Sequence, residues 1–141
     1  MKIFLDANVL VSVLNKEYPL YSFSSRVLSL ADNRKYQLFT SPVCLAIAFY
    51  LAEKKSGNIL AKKKIALLAE KIFIANHSKK DIAAIMSDNK IIDFEDGLEY
   101  FAAANEGCAC IVTEATNDFY FSKIPVCNSE NFLMHYVLQK N

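Results

Sequence analysis

Five short, nearly uninterrupted apolar runs recur along the chain: "KIFL" at residues 2–5, "YQLFT" at 36–40, "IFIA" at 72–75, "CIVT" at 110–113 and "IPVC" at 124–127. A strand with one solvated face alternates apolar and polar residues, so runs without alternation read as strands covered on both faces. Between them, residues 21–31, 42–55, 59–71 and 93–106 carry helical periodicity. Strands alternating with helices predict an α/β domain on a five-stranded, mainly parallel sheet with right-handed crossovers. In such sheets ligands bind beyond the carboxyl ends of the strands, where the strand order reverses.

With 141 residues, three Gly and three Pro, the chain has the size of one domain, residues 1–141, and little room for linkers. A hydrophobic fraction of 53% against 22% charged residues excludes disorder, and a net charge of +1 gives no whole-chain signature of a polyanion partner. Lys2 is followed by only three apolar residues before Asp6, which is not the pattern of a secretion signal. The longest apolar stretch, "PVCLAIAFYLA" at 42–52, is about half of a bilayer span and predicts a buried helix, not a membrane segment. Cys44, Cys108, Cys110 and Cys127 form no C-x-x-C pair and read as reduced, buried thiols of a cytoplasmic protein. No glycine-rich strand-to-helix loop is present, which argues against a nucleotide-binding domain.

Acidic residues follow or precede several of the predicted strands. Asp6 ends the first, within "IFLDANVLVSVL". A carboxylate there is partly desolvated and needs a cation or several donors. "IIDFEDGLEYFAAA" opens the helix before the fourth strand with Asp93, Glu95, Asp96 and Glu99. Asp93, Asp96 and Glu99 are spaced by three and share one side of that helix, and Asp96 is the best candidate to meet Asp6. "TEATNDF" adds Glu114 and Asp118 after the fourth strand. Grouped carboxylates repel one another unless a cation lies between them, and hard Mg²⁺ or Mn²⁺ takes oxygen ligands. Structural roles compete with this reading: Asp93 fits a helix N-cap with Asp96 three residues on, and Asp118 fits a turn. An aspartyl-phosphate enzyme using Asp6 as nucleophile is a further alternative. The sequence Asp6-Ala7-Asn8, without a second aspartate two residues on, speaks against it.

The start "IFLDANVLVSVL", the helix "DFEDGLEYFAAA", the stretch "CACIVTEATNDF" and the ending "KIPVCNSENFL" together resemble the PIN-domain family, the metal-dependent ribonucleases that include the VapC-type toxins. The resemblance implies a three-layer α/β/α fold and a site for one or two Mg²⁺ or Mn²⁺ ions. It implies that Asp6 and Asp96 are the catalytic metal-holding pair, with Asp118 matching a later aspartate and Asp93 a further candidate ligand. Asn8 and Thr113 match family positions in supporting roles; Glu95 is a further supporting candidate, and Glu114 is a candidate oxygen ligand with a solvent-facing position as the alternative. Departures are equally specific. Many members carry a glutamate after the second strand, near Ile47 or Ala46 here; Ala7 replaces a threonine, Glu114 and Ala115 follow Thr113, and Gly97 stands where alanine is common.

Charge is unevenly distributed: residues 53–80 hold eight lysines against two acids, and residues 81–118 nine acids against one lysine. Lys54, Lys55, Lys62 and Lys63 read as an RNA-backbone rim, with a solvated helix face as the alternative. The function expected is a metal-dependent ribonuclease with RNA as substrate, an antitoxin protein as partner, a homodimeric state and no membrane attachment. The alternative is a catalytically degenerate PIN domain that binds RNA or protein.

Overall fold

The computed structural model describes residues 1–139. Five strands, β1 (Lys2–Leu5), β2 (Gln37–Thr40), β3 (Phe73–Ile74), β4 (Cys110–Val112) and β5 (Val126–Cys127), form one parallel sheet in the order β3-β2-β1-β4-β5. In the central register Phe4 lies beside Phe39 on one flank and Ile111 on the other. Successive strand side chains point to opposite faces, and Ile3, Phe4 and Leu5 are all 0% exposed, so helices cover both faces of the sheet. This is the α/β arrangement expected from the apolar runs, in the three-layer form that the resemblance implies. The strand order reverses between β1 and β4.

The connections hold more helix than the periodicity suggested. The helices are α1 (Ala7–Leu14), α2 (Tyr21–Ser29), α3 (Pro42–Ser56), α4 (Asn58–Lys71), α5 (Lys79–Ser87), α6 (Phe94–Asn105) and α7 (Ser129–Phe132). The sequence reading did not separate α1, because it starts one residue after β1 and is buried at Ala7 and Val9 to Ser12, so no polar face marks it. The reading also missed α5, a short helix whose start is a capping box between Ser78 and Asp81. Asn105 at the end of α6 donates to the same Asp81 carboxylate at 2.8 Å, which ties α5 to α6.

Two burial expectations need correction. β3 was read as covered on both faces, yet Phe73 and Ile74 are exposed because β3 is a two-residue edge strand. The stretch 42–52 was read as a buried helix, but α3 buries only Cys44, Ala48 and Ala52, one row at a spacing of four, and leaves Tyr50 and Leu51 exposed. Among the described residues no helix is long and apolar enough to cross a membrane.

Gly97 on α6 has a packing reason. A Cβ built there would lie 2.9 Å from Ile85 Cγ2 and 2.9 Å from Ile91 Cγ2, and these isoleucines form a buried cluster with Leu98 against the first turns of α6. Alanine would gain roughly 1 kcal/mol in helix propensity but overpack branched carbons, a loss of about 1–3 kcal/mol. Gly97→Ala is therefore expected to lower the thermal unfolding temperature; an increase would show that the cluster relaxes freely.

Candidate metal centre

Asp6 stands where β1 ends and α1 begins, at the point of strand-order reversal. It is the N-cap of α1: its Oδ1 accepts a 2.6 Å hydrogen bond from the Ala7 amide, and a helix N-terminus favours a negative group. Its Oδ2 accepts a 2.7 Å hydrogen bond from Thr113 Oγ1 at the end of neighbouring β4. Thr113 Oγ1 in turn accepts from Asn8 Nδ2 at 3.1 Å and from the Ala115 amide at 3.1 Å. Asn8 Oδ1 accepts from the Glu114 amide at 3.1 Å, so Asn8 and Thr113 lock the two strand ends together. One face of the Asp6 carboxylate is thus held by donors, and Asp6 also lines a cleft of about 410 Å³.

Six carboxylates line that cleft, those of Asp6, Glu17, Glu95, Asp96, Glu99 and Asp118, and among the described residues no basic residue does. Asp96 projects from the first turn of α6. Burial, and then the charges of Asp93, Asp118, Asp6 and Glu95, push its pKa up to about 7. Glu95 is shifted upward by burial and by Asp93 and Asp6. Glu99, one turn further on α6, is buried, and its pKa rises to about 10 through burial first and through the adjacent Asp6 second. Asp118 lies on the exposed 3₁₀ turn Thr116–Phe119. It borders both this cleft and a shallower neighbour that also includes Asp93 and Asp96.

The remaining candidates occupy other settings. Asp93 is the N-cap of α6 and accepts from the Asp96 amide at 3.0 Å, outside the main cleft. Glu114 turns its Oε1 to the Ser129 amide at 3.2 Å, at the start of α7. Lys54 lies 5.1 Å from the centre of the Tyr50 ring, Lys55 donates to the Asn15 carbonyl, and Lys62 and Lys63 are exposed on α4. None of the four lines the cleft.

The fold brings to the site Glu17 and Cys44, which the sequence does not single out, and Glu99, which its spacing of three places on the Asp96 side of α6. Cys44 has no sequence signal, because its contact with the site depends on how α3 packs against α1 and α6. Its Sγ lies 2.6 Å from Glu99 Oε1 and 4.0 Å from Asp6 Oδ1, and burial holds the thiol well above its ordinary pKa. Ile47, at the position where a glutamate was sought, lines the cleft as an apolar wall.

The donor set fits a divalent cation. Grouped carboxylates, two of them buried, with no basic partner in the cleft among the described residues are suited to a cation, and oxygen ligands suit a hard ion. Asp6, Cys44 and Glu99 each offer a ligand atom within 4.8 Å of the others.

A model of the PIN domain matches residues 2–117. The chain is 28% identical over 134 residues to ribonuclease VapC1 of Aquifex aeolicus (strain VF5), covering 93% of this chain and 92% of the relative. In fold it is similar to the crystal structure of VapBC2 from Rickettsia felis bound to a DNA fragment from the promoter, with a TM-score of 0.68, 21% identity, and coverage of 91% and 98% of the two chains. It is also similar to Mycobacterium tuberculosis VapC20, a sarcin–ricin loop cleaving toxin, with a TM-score of 0.61, 16% identity, and coverage of 77% and 86%.

The raised pKa of Asp96 fixes a sign. The native state binds its proton up to about pH 7 while the unfolded chain releases it near pH 4, so proton uptake is greater in the native state between those values. Metal-free protein is therefore expected to unfold at lower temperature as pH rises from about 5 to 8, and Asp96→Asn to flatten that slope. Parallel slopes in the two proteins would contradict the crowding of carboxylates around Asp96.

Proposed function

This chain belongs to the PIN domain family, and from that premise we propose that it is a divalent-metal-dependent endoribonuclease, the toxin of a toxin–antitoxin pair, that hydrolyses RNA phosphodiesters at the cleft between Asp6 and Asp96. The observation that carries this reading is the convergence of acids from the end of β1, α6 and the turn after β4 on a cleft that, among the described residues, no basic residue lines. Asp6 and Asp96, with Asp118 at the rim, would hold Mg²⁺ or Mn²⁺, which when bound would supply an activated water and charge neutralisation at the phosphoryl oxygens. The protein's own part is positioning. The Ala7 amide and the Thr113 hydroxyl fix the rotation of the Asp6 carboxylate, and Asn8 holds the turn after β4 against it. Leu20, Ile47 and Leu51 form an apolar wall that limits water on one side of the cleft.

An acidic cleft repels a polyanion, so the RNA backbone has to be held beside it. Lys54 and Lys55 follow Leu51 by three and four residues on α3, which sets them one turn along from a residue of the cleft wall. Lys62 and Lys63 extend the basic surface onto α4. These four lysines are taken as backbone contacts, which makes RNA affinity salt-dependent.

An apolar groove of about 300 Å³ between α1, α2 and α4 suits an antitoxin segment: Leu14, Leu28, Leu67 and Leu68 line it and Lys16, Lys64 and Lys71 border it. A second copy of the chain covering exposed Tyr50 and Ile59 gives the homodimer this reading includes. The cytoplasm is the compartment assumed, supported by four cysteines that stand as free thiols.

A catalytically degenerate domain that binds RNA without cleaving it is favoured by one observation, the apolar Ile47 in the cleft wall. Cleavage of a labelled, partly structured RNA separates the two. The purified protein is expected to cut with Mn²⁺ and not with chelator, and Asp6→Asn to lose on the order of a hundredfold or more in rate. A folded wild type that retains RNA and cuts no faster than Asp6→Asn would establish the binding module instead.

A further inference from the structure

We infer that Glu99 is a ligand of the divalent cation, contributed from α6 to the cleft beside Asp6. The inference rests on the metal-dependent reading above and goes beyond the Asp6–Asp96 pair. Glu99 is 1% exposed and among the largest fully buried side chains, yet it lines the cleft with Asp96, three residues earlier on the same side of α6. Its carboxylate, the Asp6 carboxylate and Cys44 Sγ lie within 4.8 Å of one another. Among the described residues the one ion pair is Lys71–Asp32, so no side-chain cation balances the Asp6–Glu99 contact.

Two carboxyl groups buried face to face are reconciled by a cation between them, or by a hydrogen bond if one is neutral. Without an ion the pair takes the second form, and the open cleft gives an ion access to establish the first. Asp6 already receives the Ala7 amide and the Thr113 hydroxyl, Glu99 receives Cys44, and both also line the open cleft from which an ion would arrive. Cys44 is a positioning residue, holding Glu99 Oε1 toward Asp6. A hard ion asks for several oxygen ligands, and Glu99 supplies one next to Asp6.

Mn²⁺ binding measured by titration calorimetry on metal-stripped protein, together with the Mn²⁺-induced rise in unfolding temperature, tests this. Glu99→Gln keeps the volume and can donate to Asp6, so a purely structural Glu99 is replaced without effect on the metal. A ligand is not: Glu99→Gln is expected to unfold at the wild-type temperature without metal, to bind Mn²⁺ about tenfold or more weakly, and to lose most of the Mn²⁺-induced shift. Adding Ile47→Glu to that variant is expected to recover affinity, because it returns an oxygen donor to the same cleft. Wild-type Mn²⁺ affinity in a folded Glu99→Gln overturns the assignment of Glu99 alone. Absence of Mn²⁺ binding by the wild type overturns the metal reading with it.

Discussion

The 2.7 Å hydrogen bond from Thr113 Oγ1 to Asp6 Oδ2 joins the ends of two strands that are neighbours only because the sheet reverses its order there. The site's geometry follows from that contact. Thr113 is fully buried, and its single hydroxyl donates to Asp6 while accepting from Asn8 and Ala115, which leaves it no freedom to rotate. A buried carboxylate held by two donors keeps its direction, and pre-organisation of this kind lets a small site act without rearranging. Loss of the hydroxyl would leave the Asn8 and Ala115 donors unpaired as well as one Asp6 oxygen, so the cost would be shared by the whole junction.

Electrostatic frustration around this junction reads as function more than as stability. Two helices carry the acids inward: α6 brings Asp96 and Glu99 to the same cleft, and α1 begins at Asp6. Natural cores avoid unpaired buried charge, so carboxylates collected without a basic residue imply a ligand that completes them. The lysines are kept apart on α3 and α4, so a molecule of net charge +1 carries a basic surface beside an acidic cleft.

Much of the fold was legible because uninterrupted apolar runs identify strands covered on both faces, and Ile3, Phe4 and Leu5 show that rule at work. The exception, β3, is an edge strand whose apolar residues face outward, and edge position is a tertiary property that a run of four residues does not encode. α1 was hidden for the opposite reason: buried on most sides, it shows no polar stripe. At the site, Asp6, Asp96 and Asp118 were identifiable from their positions at strand and helix ends, and they do line one cleft. Asp93 satisfies the capping rule that competed with its metal role in the sequence, and Glu114 turns toward α7. Glu99 and Cys44 meet across 55 residues of chain, and such a contact depends on helix packing that spacing alone does not reveal.

The central claim is that the cleft beyond β1 and β4 is a divalent-cation site, and anomalous diffraction at the manganese edge from Mn²⁺-soaked crystals tests it most directly. The account predicts one strong peak between the Asp6 and Asp96 carboxylates. Mn²⁺ peaks confined to surface acids, with ordered water in that cleft, would contradict it.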